Sequence, residues 1–122
     1  MRSKGLIALV VAMTVVLIPG AEAHSRLVNS SPSKGSTVST SPQSVWIEFN
    51  ENLLQLDEKK INTLTVLNSK GVRVDNSKFV VAGMRVTTKI KGVLKKGKYQ
   101  VKYRVVSEDG HPVQGSYFFS VK

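Results

Sequence analysis

The chain has 122 residues, 41% of them hydrophobic, with 18 Lys and Arg against 8 Asp and Glu, a formal net charge of +10 and no cysteine. That length excludes more than one ordinary domain. The missing cysteine excludes disulfides, thiolate metal sites, a lipoprotein anchor and thiol redox chemistry, so nitrogen, oxygen and thioether sulfur are the donors left for any metal.

Residues 1–23 read as a secretory signal peptide. Arg2 and Lys4 form a short positive start, Leu6 to Ile18 is an apolar run, and Ala21 and Ala23 give a small-x-small cleavage signature. The run is shorter than the roughly 20 residues that cross a bilayer. The expected mature domain is residues 24–122, beginning with His24 and carrying 16 basic and 7 acidic side chains. It is expected in the periplasm or at the cell exterior, where so positive a field suits an anionic envelope or wall. A single Trp and no interleaving of Arg with aromatics argue against nucleic acid. A monomer is expected.

From His24 to Ser44 the chain is rich in Ser and Pro, and Ser31-Pro32 and Ser41-Pro42 interrupt continuous pairing, which predicts a path along a sheet edge. Alternation of period two follows. Val45, Ile47 and Phe49 share one face of a strand and Trp46 and Glu48 the other. Leu53 to Ile61 is polar and irregular and reads as a loop or one helical turn, and Asn68-Ser69-Lys70-Gly71 is a turn. Met84, Val86, Thr88 and Ile90 then alternate with Arg85, Thr87, Lys89 and Lys91, which places Met84 in the core. Tyr99, Val101, Tyr103 and Val105 alternate with Lys98, Gln100, Lys102 and Arg104. Glycines at Ala82-Gly83, Lys96-Gly97 and Asp109-Gly110 supply further turns. Short strands with turn signals roughly every 8 to 14 residues predict an all-β antiparallel sandwich or barrel.

The chemistry concentrates on the two histidines, His24 and His111. As the first residue of a processed chain, His24 would offer its α-amine and imidazole Nδ1 to one metal in a six-membered chelate ring. An amide nitrogen could not do this, because its lone pair is delocalised into the peptide bond. The second histidine lies in Ser107-Glu108-Asp109-Gly110-His111-Pro112. In an extended segment Asp109 and His111, two apart, would point the same way and meet at a common point. One amine, two imidazoles and one carboxylate suit square-planar or tetragonal Cu(II). Asp-Gly-His-Pro is also simply a good turn, with Asp109 accepting backbone hydrogen bonds.

These residues resemble the CopC copper-resistance domain family across essentially the whole of residues 24–122. The matching landmarks are His24 after the signal, Ser31-Pro32-x-x-Gly35, Val45-Trp46-Ile47-Glu48-Phe49-Asn50-Glu51 and Gly97-Lys98-Tyr99-x-Val101. The most specific is Ser107-Glu108-Asp109-Gly110-His111-Pro112-Val113-Gln114-Gly115, followed by Phe119 and Val121. The resemblance implies an immunoglobulin-like Greek-key sandwich of about seven strands, Cu(II) held by His24, Asp109 and His111, and a CopD-type membrane copper transporter as partner. It also places Glu51 near the copper, where a carboxylate can orient a ligand through a hydrogen bond. Some family members bind Cu(I) through clustered methionines. Here Met1 and Met13 would leave with the signal and Met84 alone would stay, which implies the Cu(II)-only type.

Three functions fit the sequence. The first is an exported Cu(II)-binding protein of copper resistance, homeostasis or delivery, with no enzymatic activity. The second is a copper enzyme of the histidine-brace kind found in polysaccharide monooxygenases. The third is a metal-free basic sandwich that binds the wall. The first is favoured because both histidines stand at chelating positions, and because Asp109 would fill a coordination position that oxygen chemistry needs open.

Overall fold

The computed structural model describes residues 25–56 and 60–122. The expected signal peptide, residues 1–23, and the expected ligand His24 lie outside the described residues. The elements are β1 (Leu27–Ser31), β2 (Thr37–Val38), β3 (Ser44–Phe49), β4 (Thr63–Leu67), β5 (Asp75–Ala82), β6 (Arg85–Ile90), β7 (Gly97–Val106) and β8 (Pro112–Val121). They form two four-stranded sheets of order β1-β3-β6-β5 and β2-β8-β7-β4. This is the immunoglobulin arrangement of four strands against three, with the short β2 added at the edge of the smaller sheet. The fold is the expected all-β sandwich, free of disulfides because the chain has no cysteine.

Alternation builds the core as the sequence implies. Val45, Ile47 and Phe49 of β3, Val86 and Ile90 of β6, and Tyr99, Val101 and Val105 of β7 all turn inward and are buried. With Leu64 and Val66 of β4 and Tyr117 and Phe119 of β8 they form one core between the two sheets. Phe49 packs edge-on against Tyr103 with ring centroids 5.5 Å apart, and Tyr99 stacks on Phe119 at the same separation. Burial of each such side chain contributes about 1.5–3 kcal/mol, which is how a small domain without cross-links holds together.

Two details differ from the sequence reading. Met84 is 43% exposed rather than in the core. The strand begins one residue later, at Arg85, and Gly83 (φ 59) and Met84 form the two-residue turn between Ala82 and Arg85. Alternation fixes parity only inside the strand. Second, β2 runs parallel to β8, pairing Thr37 with Ser120 and Val38 with Val121. The Ser31-to-Gly35 turn carries the chain from the edge of one sheet to the edge of the other, so β2 arrives in that direction. The stretch after Leu53 is, where described, the loop that the sequence implied, and Leu53 bridges Ser107.

The sandwich has two ends of different character. One gathers the start of β1, the end of β3, the β5–β6 turn and the β7–β8 turn. The other gathers the β4–β5 turn, the β6–β7 loop and the end of β8. At this second end the Tyr99 hydroxyl donates to the Lys95 carbonyl at 2.6 Å, the tyrosine-corner contact of immunoglobulin-like folds.

Candidate metal centre

The first end holds Asp109 and His111. Their proximity comes from a tight turn, not from the extended segment the spacing suggested. The Gly110 N–H donates to the Ser107 carbonyl at 2.8 Å and the Ser107 N–H to the His111 carbonyl at 3.2 Å. Gly110 sits at φ 87, a left-handed backbone that favours a residue without Cβ. Within this turn the His111 N–H donates to Asp109 Oδ1 at 3.0 Å, and His111 Nδ1 stands 3.0 Å from Asp109 Oδ2. Asp109 and His111 therefore meet, each held by the other, on an exposed edge of the molecule.

Ser107, which the sequence reading passed over, orients this pair. It is wholly buried, and its hydroxyl donates a hydrogen bond to Asp109 Oδ1. That bond, followed by those from the His111 ring and the His111 N–H, holds the Asp109 carboxyl well below the usual carboxylate range. Asp109 is thus an anion throughout the range in which a cell operates.

Asn62 is the second residue missed. Its Oδ1 accepts the Val106 N–H at 2.9 Å and its Nδ2 donates to the Leu54 carbonyl at 2.7 Å, while the Leu54 N–H donates to the Val106 carbonyl at 2.8 Å. One buried amide thereby fastens the end of β7, where the His111 turn begins, to the segment that follows β3. The available signal was parity, since Asn62 precedes Leu64 and Val66 on their inward face, and a polar side chain placed there must be satisfied by a partner.

The segment after β3 also links the turn to the chain's entry. The Glu108 N–H donates to the Asn52 carbonyl at 3.1 Å, and the Asn50 N–H donates to the Arg26 carbonyl at 3.2 Å. The Arg26 N–H in turn donates to Asn50 Oδ1 at 2.7 Å. Ser25, the described residue next to His24 in sequence, is buried here, and its Oγ has no hydrogen-bond partner among the described residues. Glu51 lies half-buried in this same segment, between Asn50 and Asn52. Among the described residues no three His, Cys, Asp or Glu converge on a point; of the side chains expected as donors, those of Asp109 and His111 are brought together.

An immunoglobulin-like sandwich whose β7–β8 turn carries an ionised aspartate against a histidine defines a class of protein. A family model described as the CopC domain matches residues 27–122, and the chain belongs to that family of copper resistance and transport proteins. It is 35% identical over 117 residues to the copper transport protein CutJ of Bacillus subtilis, a match covering 93% of this chain and 21% of CutJ. The chain thus spans about a fifth of that relative. It is 34% identical to copper resistance protein C of Xanthomonas campestris pv. juglandis, covering 92% of this chain and 95% of the relative. Among solved structures, CopC from Methylosinus trichosporium OB3b superposes with a TM-score of 0.70 at 33% identity, covering 81% of this chain and 94% of that one. PcoC, a methionine-rich copper resistance protein from Escherichia coli, superposes at 0.67 with 29% identity, covering 82% of this chain and all of that one.

Proposed function

We propose that the chain is exported, that residues 1–23 are removed, and that the mature protein binds Cu(II) through the His24 amine and imidazole, Asp109 and His111. The observation that carries this reading is the β7–β8 turn, in which an ionised carboxylate and an imidazole are held together by Ser107 and by each other. The backbone pairing of Arg26 with Asn50, and of Asn52 with Glu108, brings the start of the described chain to this same end. A hard anionic oxygen with nitrogen donors favours Cu(II) over Cu(I).

Met84 is the single methionine of residues 24–122, whereas PcoC is described as methionine-rich. Cu(I) needs several soft donors, so the chain handles copper in one oxidation state and performs no turnover. Copper is its cargo, held for sequestration or for delivery to a CopD-type membrane transporter, and the protein works as a monomer. Glu51 orients a ligand from the segment between β3 and β4.

The test is electron paramagnetic resonance of the chain from His24 onward with one equivalent of Cu(II). The expected spectrum is that of a tetragonal nitrogen-and-oxygen site, altered in His111→Ala. An unchanged spectrum in that variant would remove His111 from the ligand set.

A further inference from the structure

The end of the sandwich farthest from Asp109 and His111 has a composition the copper reading does not use. The β4–β5 turn and the β6–β7 loop lie side by side there around a shallow groove of about 430 Å³. Lys70 projects from the first, Lys91, Lys95 and Lys96 from the second, and Lys98 and Lys122 from the adjoining strand ends, all exposed. Among the described residues the acid at this end is Asp75. It is buried and engaged by Arg73 Nε at 2.7 Å, so it neutralises none of the six lysines. The other described acids, Glu48, Glu51, Glu108 and Asp109, belong to segments of the opposite end.

One apolar side chain stands out of each of the two turns of this cationic surface. Val93 is 83% exposed and Val72 57%. Both are held outward by rigid turns. Leu94, beside Val93, is buried, and its N–H donates to Ser41 Oγ at 2.8 Å. Tyr99 grips the Lys95 carbonyl two residues beyond Val93. In the other turn Asn68 Oδ1 accepts the N–H groups of Lys70 and Val72 at 2.9 and 3.0 Å. A soluble polyanion would be bound by the lysines alone and would gain nothing from ordered valines pointing into water. A bilayer surface with anionic headgroups uses both, because lysines near it gain electrostatically and small apolar tips enter the headgroup layer.

We propose that this end docks the protein on an anionic phospholipid membrane, with Val72 and Val93 in the headgroup layer and the surrounding lysines on lipid phosphates. The Asp109–His111 turn then faces away from the bilayer. It stands about the length of the ten-residue β7 strand from the membrane, roughly 30 Å at about 3.3 Å per residue.

The test is co-sedimentation of the chain from His24 onward, which contains every described strand and the whole core, with vesicles. One set is phosphatidylcholine alone and the other contains phosphatidylglycerol as well. Binding is expected to the second set alone and to weaken with salt. Lys95→Glu with Lys96→Glu should lower it by roughly tenfold or more, whereas Arg104→Glu, near the other end of β7, should leave it within about twofold. Val93→Ser should lower it severalfold while the salt dependence stays the same. Circular dichroism and melting temperature establish that each variant is folded. Equal binding to both vesicle sets, equal loss in Arg104→Glu, or full binding by Val93→Ser would overturn the proposal, the last outcome indicating a surface for soluble polyanions.

Discussion

Asp75 and Asp109 sit at opposite ends of the sandwich, and both are gripped by their own turns, yet the same side chain serves two purposes. Asp75 is buried to 3% exposure. Its Oδ2 accepts the Val66 N–H at 2.8 Å, and its Oδ1 accepts Arg73 Nε at 2.7 Å and the Ser77 N–H at 2.8 Å. Its oxygens are directed into the fold and stitch β4 to β5. Asp109 takes comparable bonds from Ser107 and His111 but lies at the surface, where water or a ligand can reach it. A carboxylate whose partners are inside the fold stabilises it. One whose partners merely orient it at the edge is available for chemistry.

That contrast is broken most severely at Asp75. Asp75→Ala should leave the Val66 and Ser77 N–H groups and the Arg73 guanidinium without their acceptor, at a cost of about 3–5 kcal/mol. Urea denaturation should show the loss, while Cu(II) affinity of the fraction still folded should match that of the parent protein. The reverse is expected at the other end. His111→Ala should lower Cu(II) affinity by more than about 100-fold and Asp109→Ala by about 10- to 100-fold, because water replaces a carboxylate oxygen on copper more readily than an imidazole nitrogen. His111→Ala should shift unfolding by less than about 1 kcal/mol, since the truncation opens no cavity, and Asp109→Ala by about 1–2 kcal/mol, because it leaves the buried Ser107 hydroxyl without its acceptor. A destabilised Asp109→Ala with undiminished copper binding would invert the two assignments.

Acid sharpens the same comparison. Asp109 has its pKa lowered by the Ser107 and His111 hydrogen bonds. Its contribution to stability is therefore present above the ordinary carboxylate value of about 3.9 and is lost only as pH falls through the lowered one. Between pH 7.5 and 5 this carboxylate stays charged and puts no proton in competition with the metal. Nitrogen donors do, since an α-amine and an imidazole ordinarily titrate near about 7.7–8.0 and about 6.5. The rise in melting temperature produced by Cu(II) should accordingly shrink as pH falls across that range, by about tenfold in affinity per pH unit for each competing proton. A copper-induced shift that held constant would point to oxygen ligands alone.

Much of this was legible in the sequence because strand parity is a strict code. Val45, Ile47 and Phe49, or Val101 and Val105, have one inward face whatever else the chain does. The code fails where a strand starts or bulges. Met84 shares the parity of Val86 but sits in the turn before β6. In β5 the register slips between Asp75 and Phe79 around Ser77, whose φ is 64, which hides the alternation there. The pairing of Asp109 with His111 was legible from their spacing, but through the wrong geometry: Gly110 folds the backbone back, and a turn rather than an extended strand brings them together. Ser107 and Asn62 were not read at all. Each is a polar residue adjoining an apolar run; what Asn62 does depends on Val106, far along the chain, and what Ser107 does depends on the turn that brings Asp109 back to its hydroxyl.

The central claim, that a freed His24 completes the site begun by Asp109 and His111, is tested most directly by the chain's own first atom. Cu(II) affinity should be compared, at one pH and with the same competing chelator, between protein starting at His24 and protein carrying a single extra Gly before it. The extra residue turns the α-amine into an amide nitrogen and removes the terminal chelate ring, so a loss of more than about 100-fold is expected, comparable to losing an imidazole. Equal affinity in the two proteins would contradict the account.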